Sequence, residues 1–323
     1  MSRLFSAFVL FLFALTGTTA LAEVRVLTSI KPLQLIAAAV QDGLGKPEVL
    51  LPPGASPHHY ALRPSDVRSV REAELLYWIG ADLESFLPRV LTGRSKPSVA
   101  VQDLPGMSLR HFGDSQEAHK QEEVGHDEHE HHDEHEAEEV ADEHDHDHRP
   151  GTLDAHLWLL PANARVIAEK MAADLAAADP ANAARYQANA KAFGERLAAL
   201  DARLKQRLQG LKGKPYFVFH EAYDYFEAAY GLEHVGVFSI ASEVQPGARH
   251  VAAMRERLQQ AGPTCVFSEP PVAPRLAKTL TAGLPATLAE LDAMGGALPV
   301  NASAYETLLE NLAGELAGCL EGL

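Results

Sequence analysis

One stretch limits the folds open to this chain more than any other. From Asp179-Pro180 to about residue 209 the sequence is rich in Ala, Leu, Arg and Lys and has no proline after Pro180. That spells one long helix, some 30 residues and about 45 Å at 1.5 Å per residue. A shorter helix is expected just before it, over 161–177. On either side the grammar changes to short apolar strands alternating with helices. In the first half Val24-Arg25-Val26-Leu27-Thr28-Ser29 alternates like a strand, and Pro32 opens an apolar helix to about Gln41. Val49-Leu50-Leu51, the continuous apolar run 75–80 and Val99-Ala100-Val101 read as further strands. Helices are expected from Arg63-Pro64-Ser65-Asp66 to about Ala73, and over 81–91 with a break at Pro88. In the second half 216–219, 235–238, 264–267 and 286–289 read as strands, and 221–230, 248–261, 272–283 and 304–319 as helices. Such alternation means βαβ units and parallel sheets. The long helix therefore divides two α/β lobes, and a single stiff rod between lobes resists large hinge motion.

Length agrees, since 323 residues are more than one core usually serves. The chain opens with Arg3, a short apolar run over 4–15 and the small-x-small signal Ala20-Leu21-Ala22. This reads as a secretory leader over 1–22, cut after Ala22 and too short for a membrane anchor. No cysteine follows the apolar run to take a lipid at the cut. The expected organisation is the leader, a first α/β lobe over 23–178, the linking helix over 179–210 and a second lobe over 211–323.

Charge points to an insertion in the first lobe. The formal net charge is −16, but segment 117–148 holds fifteen carboxylates against one lysine, so the rest of the chain is close to neutral. No basic patch for nucleic acid is visible. The same segment holds nine of the sixteen histidines, and its only branched aliphatics are Val124 and Val140. A tract so poor in apolar residues is expected to stay disordered. His126, His129, His131, His132, His135, His144, His146 and His148 nevertheless make it a plausible secondary binder of zinc, copper or nickel.

Three histidines outside the tract stand at the ends of regular elements. His58 follows a strand in Gly54-Ala55-Ser56-Pro57-His58-His59-Tyr60, His156 precedes the helix at Pro161, and His220 ends the strand 216–219. Open α/β sheets bind ligands at strand ends, and loops on a rigid scaffold carry function. His59 is the local competitor of His58, while His111, His234 and His250 read as surface or packing residues. The only cysteines are Cys265 and Cys319. In an oxidising compartment a lone pair is expected to form one disulfide, here between a strand and the last helix; two buried thiols are the alternative.

The segments LTSIKPL (27–33), LPPGASPHHYALRPSD (51–66), DAHLWLLP (154–161), FVFHEAYDYF (217–226), CVFSEP (265–270) and LAELDAMG (288–295), in this order, resemble the zinc-binding proteins of bacterial ABC importers. The likeness is strongest to the ZnuA type, acidic histidine-rich insertion included. It implies two Rossmann-like lobes joined by one long helix, with metal in the cleft between them. It also implies His58, His156 and His220 as ligands of Zn2+, one from each motif. Manganese-selective relatives typically carry a carboxylate at the third position, so His220 favours zinc. The disulfide also suits the zinc branch. Asp292 fits the position of a late-loop carboxylate and is expected as fourth ligand, with water as the alternative. Glu269 is the expected acceptor of an imidazole N–H, and Asp154 a weaker candidate for the same part. The implied function is a monomeric periplasmic carrier that captures zinc and delivers it to an inner-membrane ABC permease. A carrier for manganese or another divalent metal is the first alternative. A zinc hydrolase is more distant, because no HExxH motif or general base stands beside a ligand.

Overall fold

The computed structural model describes residues 23–113, 151–238, 248–270 and 274–323. The expected leader and the histidine tract 117–148 lie outside the described residues.

Proline and capping chemistry set the first lobe's helices. β1 (Val26–Thr28) runs into α1 (Lys31–Val40), which has Pro32 in its first turn, where a missing N–H costs nothing. β2 (Glu48–Val49) is followed by the loop carrying His58 and then by α2 (Pro64–Glu72). The Asp66 carboxylate reaches back to the Arg63 backbone N–H at 2.8 Å and closes the entrance of α2. β3 (Leu75–Trp78) is buried throughout, as a central strand covered on both faces must be. β4 (Ser98–Ala100) completes the sheet, whose pairs are all parallel in the order β2-β1-β3-β4.

The helix expected over 81–91 shrinks to α3 (Pro88–Leu91). The cause is Glu84, whose buried carboxylate accepts the N–H groups of Ile79 (3.2 Å) and Gly80 (3.0 Å) and holds a turn instead. Burial raises its pKa to about 7, against the lowering effect of those hydrogen bonds.

The spine of the molecule is α4 (Pro161–Ala178), a short 3-10 turn (Pro180–Asn182) and α5 (Ala183–Leu208). With 26 residues α5 is about 39 Å long, and it continues into a 3-10 turn (Gln209–Leu211). Its buried side chains, Tyr186, Ala190, Phe193, Leu197, Leu200, Leu204 and Leu208, fall at steps of three or four and form one stripe. Asn189 on α5 donates to the carbonyls of Val40 and Asp42 in the first lobe, both at 3.0 Å. Arg196 and Arg203 pair with Glu306 (2.7 Å) and Glu310 (2.9 Å) on α9 (Ala304–Leu320) in the second.

The second sheet repeats the first. β5 (Tyr216–Val218), β6 (Gly236–Val237), β7 (Thr264–Ser268) and β8 (Ala286–Glu290) pair in parallel in the order β6-β5-β7-β8. α6 (Asp224–Tyr230), α7 (Ala248–Ala261) and α8 (Pro274–Thr281) connect them. α6 starts three residues later than the sequence suggests, because Ala222 N–H turns back onto the His220 carbonyl. It stops at Gly231, whose φ of 68° is the left-handed cap glycine favours. Alternation along β5 divides its side chains between two cores. Tyr216 and Val218 join the large core shared with the helical spine, and Phe217 and Phe219 join a smaller cluster with Met254, Leu258 and Leu280. Cys265 on β7 and Cys319 on α9 form the expected disulfide. Among the described residues no helix is long and apolar enough to cross a membrane.

Candidate metal site

Both sheets begin with a central strand, step outward, then cross to the other side, so each has a switch point beside its first strand. His220 follows β5 at one of these points, and Glu269 follows its neighbour β7. His58 stands in the loop after β2, and His156 leads into a 3-10 turn (Leu157–Leu159) ahead of α4. Their rings meet between the lobes. Centroids are 5.4 Å apart for His58–His156, 5.4 Å for His58–His220 and 4.8 Å for His156–His220. One ring nitrogen from each lies within 4.8 Å of the others, and all three residues are buried. They line a cavity of about 400 Å³ together with Lys31, Trp158, Glu269 and Asp292.

Two of the imidazoles have carboxylate partners. Asp154 Oδ1 accepts the His156 backbone N–H at 2.9 Å and lies 2.7 Å from Nδ1. This geometry assigns the Nδ1 proton to the Asp154 contact and turns Nε2 to the cluster. Glu269 Oε1 accepts the His220 backbone N–H at 3.2 Å, and its Oε2 stands 3.5 Å from Nδ1. Of the two carboxylates, Asp154 thus holds its imidazole more closely, the reverse of the sequence ranking. Asp154 is fully buried, and its pairing follows from the two-residue spacing in Asp154-Ala155-His156, a local signal readable from sequence.

Electrostatics favour an incoming cation. Burial, followed by the neighbouring His220 and His58, holds His156 well below the usual histidine pKa, so its ring is neutral and able to coordinate at pH 7. Burial raises Asp154 to about 7, despite hydrogen bonding from the His156 backbone. Positive charge in the cluster would restore the carboxylate.

Asp292 lines the cavity, but its carboxylate is engaged in its own loop. Oδ1 accepts the N–H groups of Met294 (3.0 Å) and Gly295 (2.8 Å), and Oδ2 that of Gly296 (2.8 Å). It lies outside the group of converging ligand atoms, which among the described residues comprises the three histidines. His59 also stays outside that group, its ring centroid 6.4 Å from that of His58.

A second group was missed from sequence. Ligand atoms of Glu221, Asp224 and His234 also lie within 4.8 Å of one another. His234 is no surface residue: its side chain is 14% exposed and its Nδ1 stands 3.0 Å from both oxygens of Glu227. Burial opposes its charged form, but the hydrogen bond to Glu227 and the charges of Glu227, Asp224 and Glu221 outweigh this and raise its pKa to about 9. The readable signal was the series Glu221, Asp224, Glu227 at intervals of three, which puts acids on one side of the α6 entrance.

Two parallel α/β lobes, a helical spine and a buried imidazole cluster in the cleft define a two-lobed metal-binding protein. The model of the family described as "ZnuA: Zinc-uptake complex component A periplasmic" matches residues 26–319, and the chain belongs to that family. Among its relatives is the high-affinity zinc uptake system protein ZnuA of Brucella abortus, 38% identical over 304 residues, covering 91% of each chain. The protein of the same name from Paracoccus denitrificans is 39% identical over 318 residues, covering 96% of this chain and 97% of that one. A crystal structure of ZnuA superposes with a TM-score of 0.70 at 22% identity, covering 92% of this chain and 98% of that one. A zinc-bound ZnuA lacking 138–173 in its own numbering gives 0.69, also at 22% identity, with 91% of this chain and 97% of that one covered. At these identities the solved structures speak for the fold.

Proposed function

We propose that this chain is a periplasmic carrier that captures Zn2+ in its cleft and hands it to an ABC-type permease of the inner membrane. The observation that carries the reading is the convergence of three buried ring nitrogens from His58, His156 and His220 between the lobes. Three neutral imidazoles form a nitrogen-rich site suited to zinc and poorly suited to manganese, which prefers oxygen. The fourth position of a tetrahedral set falls to Asp292, whose Oδ2 accepts one backbone hydrogen bond and keeps a second lone pair, or to a water. Asp154 and Glu269 fix the orientation of two ligands. With both carboxylates so employed, neither is left as general base beside the metal, which supports transport over hydrolysis.

The family's description as periplasmic agrees with the leader read over 1–22 and its cleavage after Ala22. By composition, the tract 117–148 collects further zinc near the cleft and raises its local concentration without contributing to the tight site. The chain acts as a monomer of two lobes, 23–178 and 211–323, around the linking helix 179–210.

Equilibrium competition between Zn2+ and Mn2+ tests the reading. One tight equivalent of zinc is expected, abolished by His58→Ala, His156→Ala or His220→Ala and retained when 117–148 is deleted. A preference for Mn2+, or loss of the tight equivalent with the tract, would refute it.

A further inference from the structure

The group at Glu221, Asp224 and His234 takes no part in the site above. Its residues come from the turn after β5, the first position of α6 and the loop before β6. Asp224 is 6% exposed, and the opposite charges that act on its carboxylate are those of His234 and Arg110. Glu221, half-buried, also faces the charge of His234. Burial, then the charges of Asp154 and Glu227, raise the Asp224 pKa to about 6, the direction that a divalent cation would reverse.

His234 is set up as a ligand would be. Glu227 lies against its Nδ1 with both oxygens, and Tyr216 donates its hydroxyl to Glu227 Oε1 at 2.6 Å. A carboxylate on one ring nitrogen, itself fixed by a further hydrogen bond, is the arrangement that orients a metal-bound imidazole. Asp154 supports His156 in the same way. Two carboxylates and one imidazole suit a divalent first-row cation, and the set is richer in oxygen than the three-histidine cluster.

We propose that Glu221, Asp224 and His234 form a second divalent-cation site in the second lobe, separate from the three-histidine cluster. It fills after that cluster, because the metal must displace the Nε2 proton of an imidazolium that the surrounding carboxylates stabilise. Nothing in the argument depends on what the cleft carries.

Anomalous diffraction at the zinc edge tests this on crystals of the full mature chain equilibrated with Zn2+. The expected map has one peak among His58, His156 and His220 and a second within bonding distance of Glu221, Asp224 and His234. Asp224→Asn and His234→Gln, both close in size to the native residue, should each abolish the second peak while keeping the first. The proposal is overturned if the first peak is full and the second absent, or if the second survives both substitutions. A second peak without the first would sink the carrier reading and leave this site standing. Absence of both would end both ideas.

Discussion

The two sheets have the same strand order and very different surroundings. In the first lobe, β1 and β3 are buried throughout and share one continuous apolar core with α1, α4, α5 and α9. In the second, only the inward side chains of β5 and β7 enter that core. Their outward side chains rest on a small separate cluster, and β8 is largely exposed. The second lobe is also the one with a disulfide. The difference matches the division of labour in the cleft. The well-anchored lobe places His58 and His156 in the cluster, with the His156 segment tied back to it by Asp154 N–H on the Arg110 carbonyl, while the stapled lobe places His220 there.

Four experiments would break or sharpen that comparison. The largest effect belongs to a ligand on the anchored side. Structural zinc sites contribute roughly 10–16 kcal/mol over four ligands, so one lost ligand costs about 3–4 kcal/mol, or on the order of 10²–10³-fold in affinity. His156→Ala should show this in competition with a chelating dye, and a loss below tenfold would remove it from the ligand set. Next comes the staple. Cys265 and Cys319 are 54 residues apart, and replacing both by serine should cost about 2–4 kcal/mol in chemical unfolding. An unchanged midpoint would mean that the second lobe is as self-sufficient as the first.

The third experiment sets the two supporting carboxylates against each other. Asp154→Asn should weaken zinc binding by about 10–100-fold, the usual cost of losing such a partner. Glu269→Gln should cost less than about tenfold, since its contact with Nδ1 is 3.5 Å against 2.7 Å. Equal losses would erase this asymmetry between the lobes. The smallest effect concerns His234 in metal-free protein. Its pKa is raised on folding to about 9, so the folded state holds its proton more tightly than the unfolded chain. The stabilisation is complete below the unfolded value of about 6.5 and is lost as pH rises through about 9, on the order of 1–3 kcal/mol. Thermal melts of wild type and His234→Gln should converge above that range; a constant gap would assign the difference to packing.

The parallel sheets, the linking helix and the disulfide were legible because each depends on local pattern: apolar runs, a proline-free amphipathic stretch, a lone cysteine pair. The three histidines were legible as residues at strand and helix ends, and the ordered motifs then singled them out together. What escaped depends on contacts between distant segments. Glu84 captures two backbone amides across a turn and prevents the helix that its neighbours favour. At Asp292 the sequence shows a late-loop carboxylate but not the three amides of that loop that share its oxygens. His234 read as a surface or packing residue because Glu227, seven positions earlier, meets it only once α6 has turned back.

Hydrogen bonds across the cleft floor add one more consequence. The Trp158 indole N–H donates to the Ala293 carbonyl at 2.9 Å, and Tyr305 donates its hydroxyl back to the Trp158 carbonyl at 2.5 Å. Tyr225 Oη accepts the Arg110 N–H and donates to the Asp154 carbonyl, each at 2.9 Å. These bonds gather the imidazoles before any ion arrives, and the ordering entropy is already spent during folding. Cargo uptake then buries little new apolar surface. Its calorimetric signature should be a small heat-capacity change, with the temperature dependence of affinity set by ion dehydration and proton release instead of chain motion.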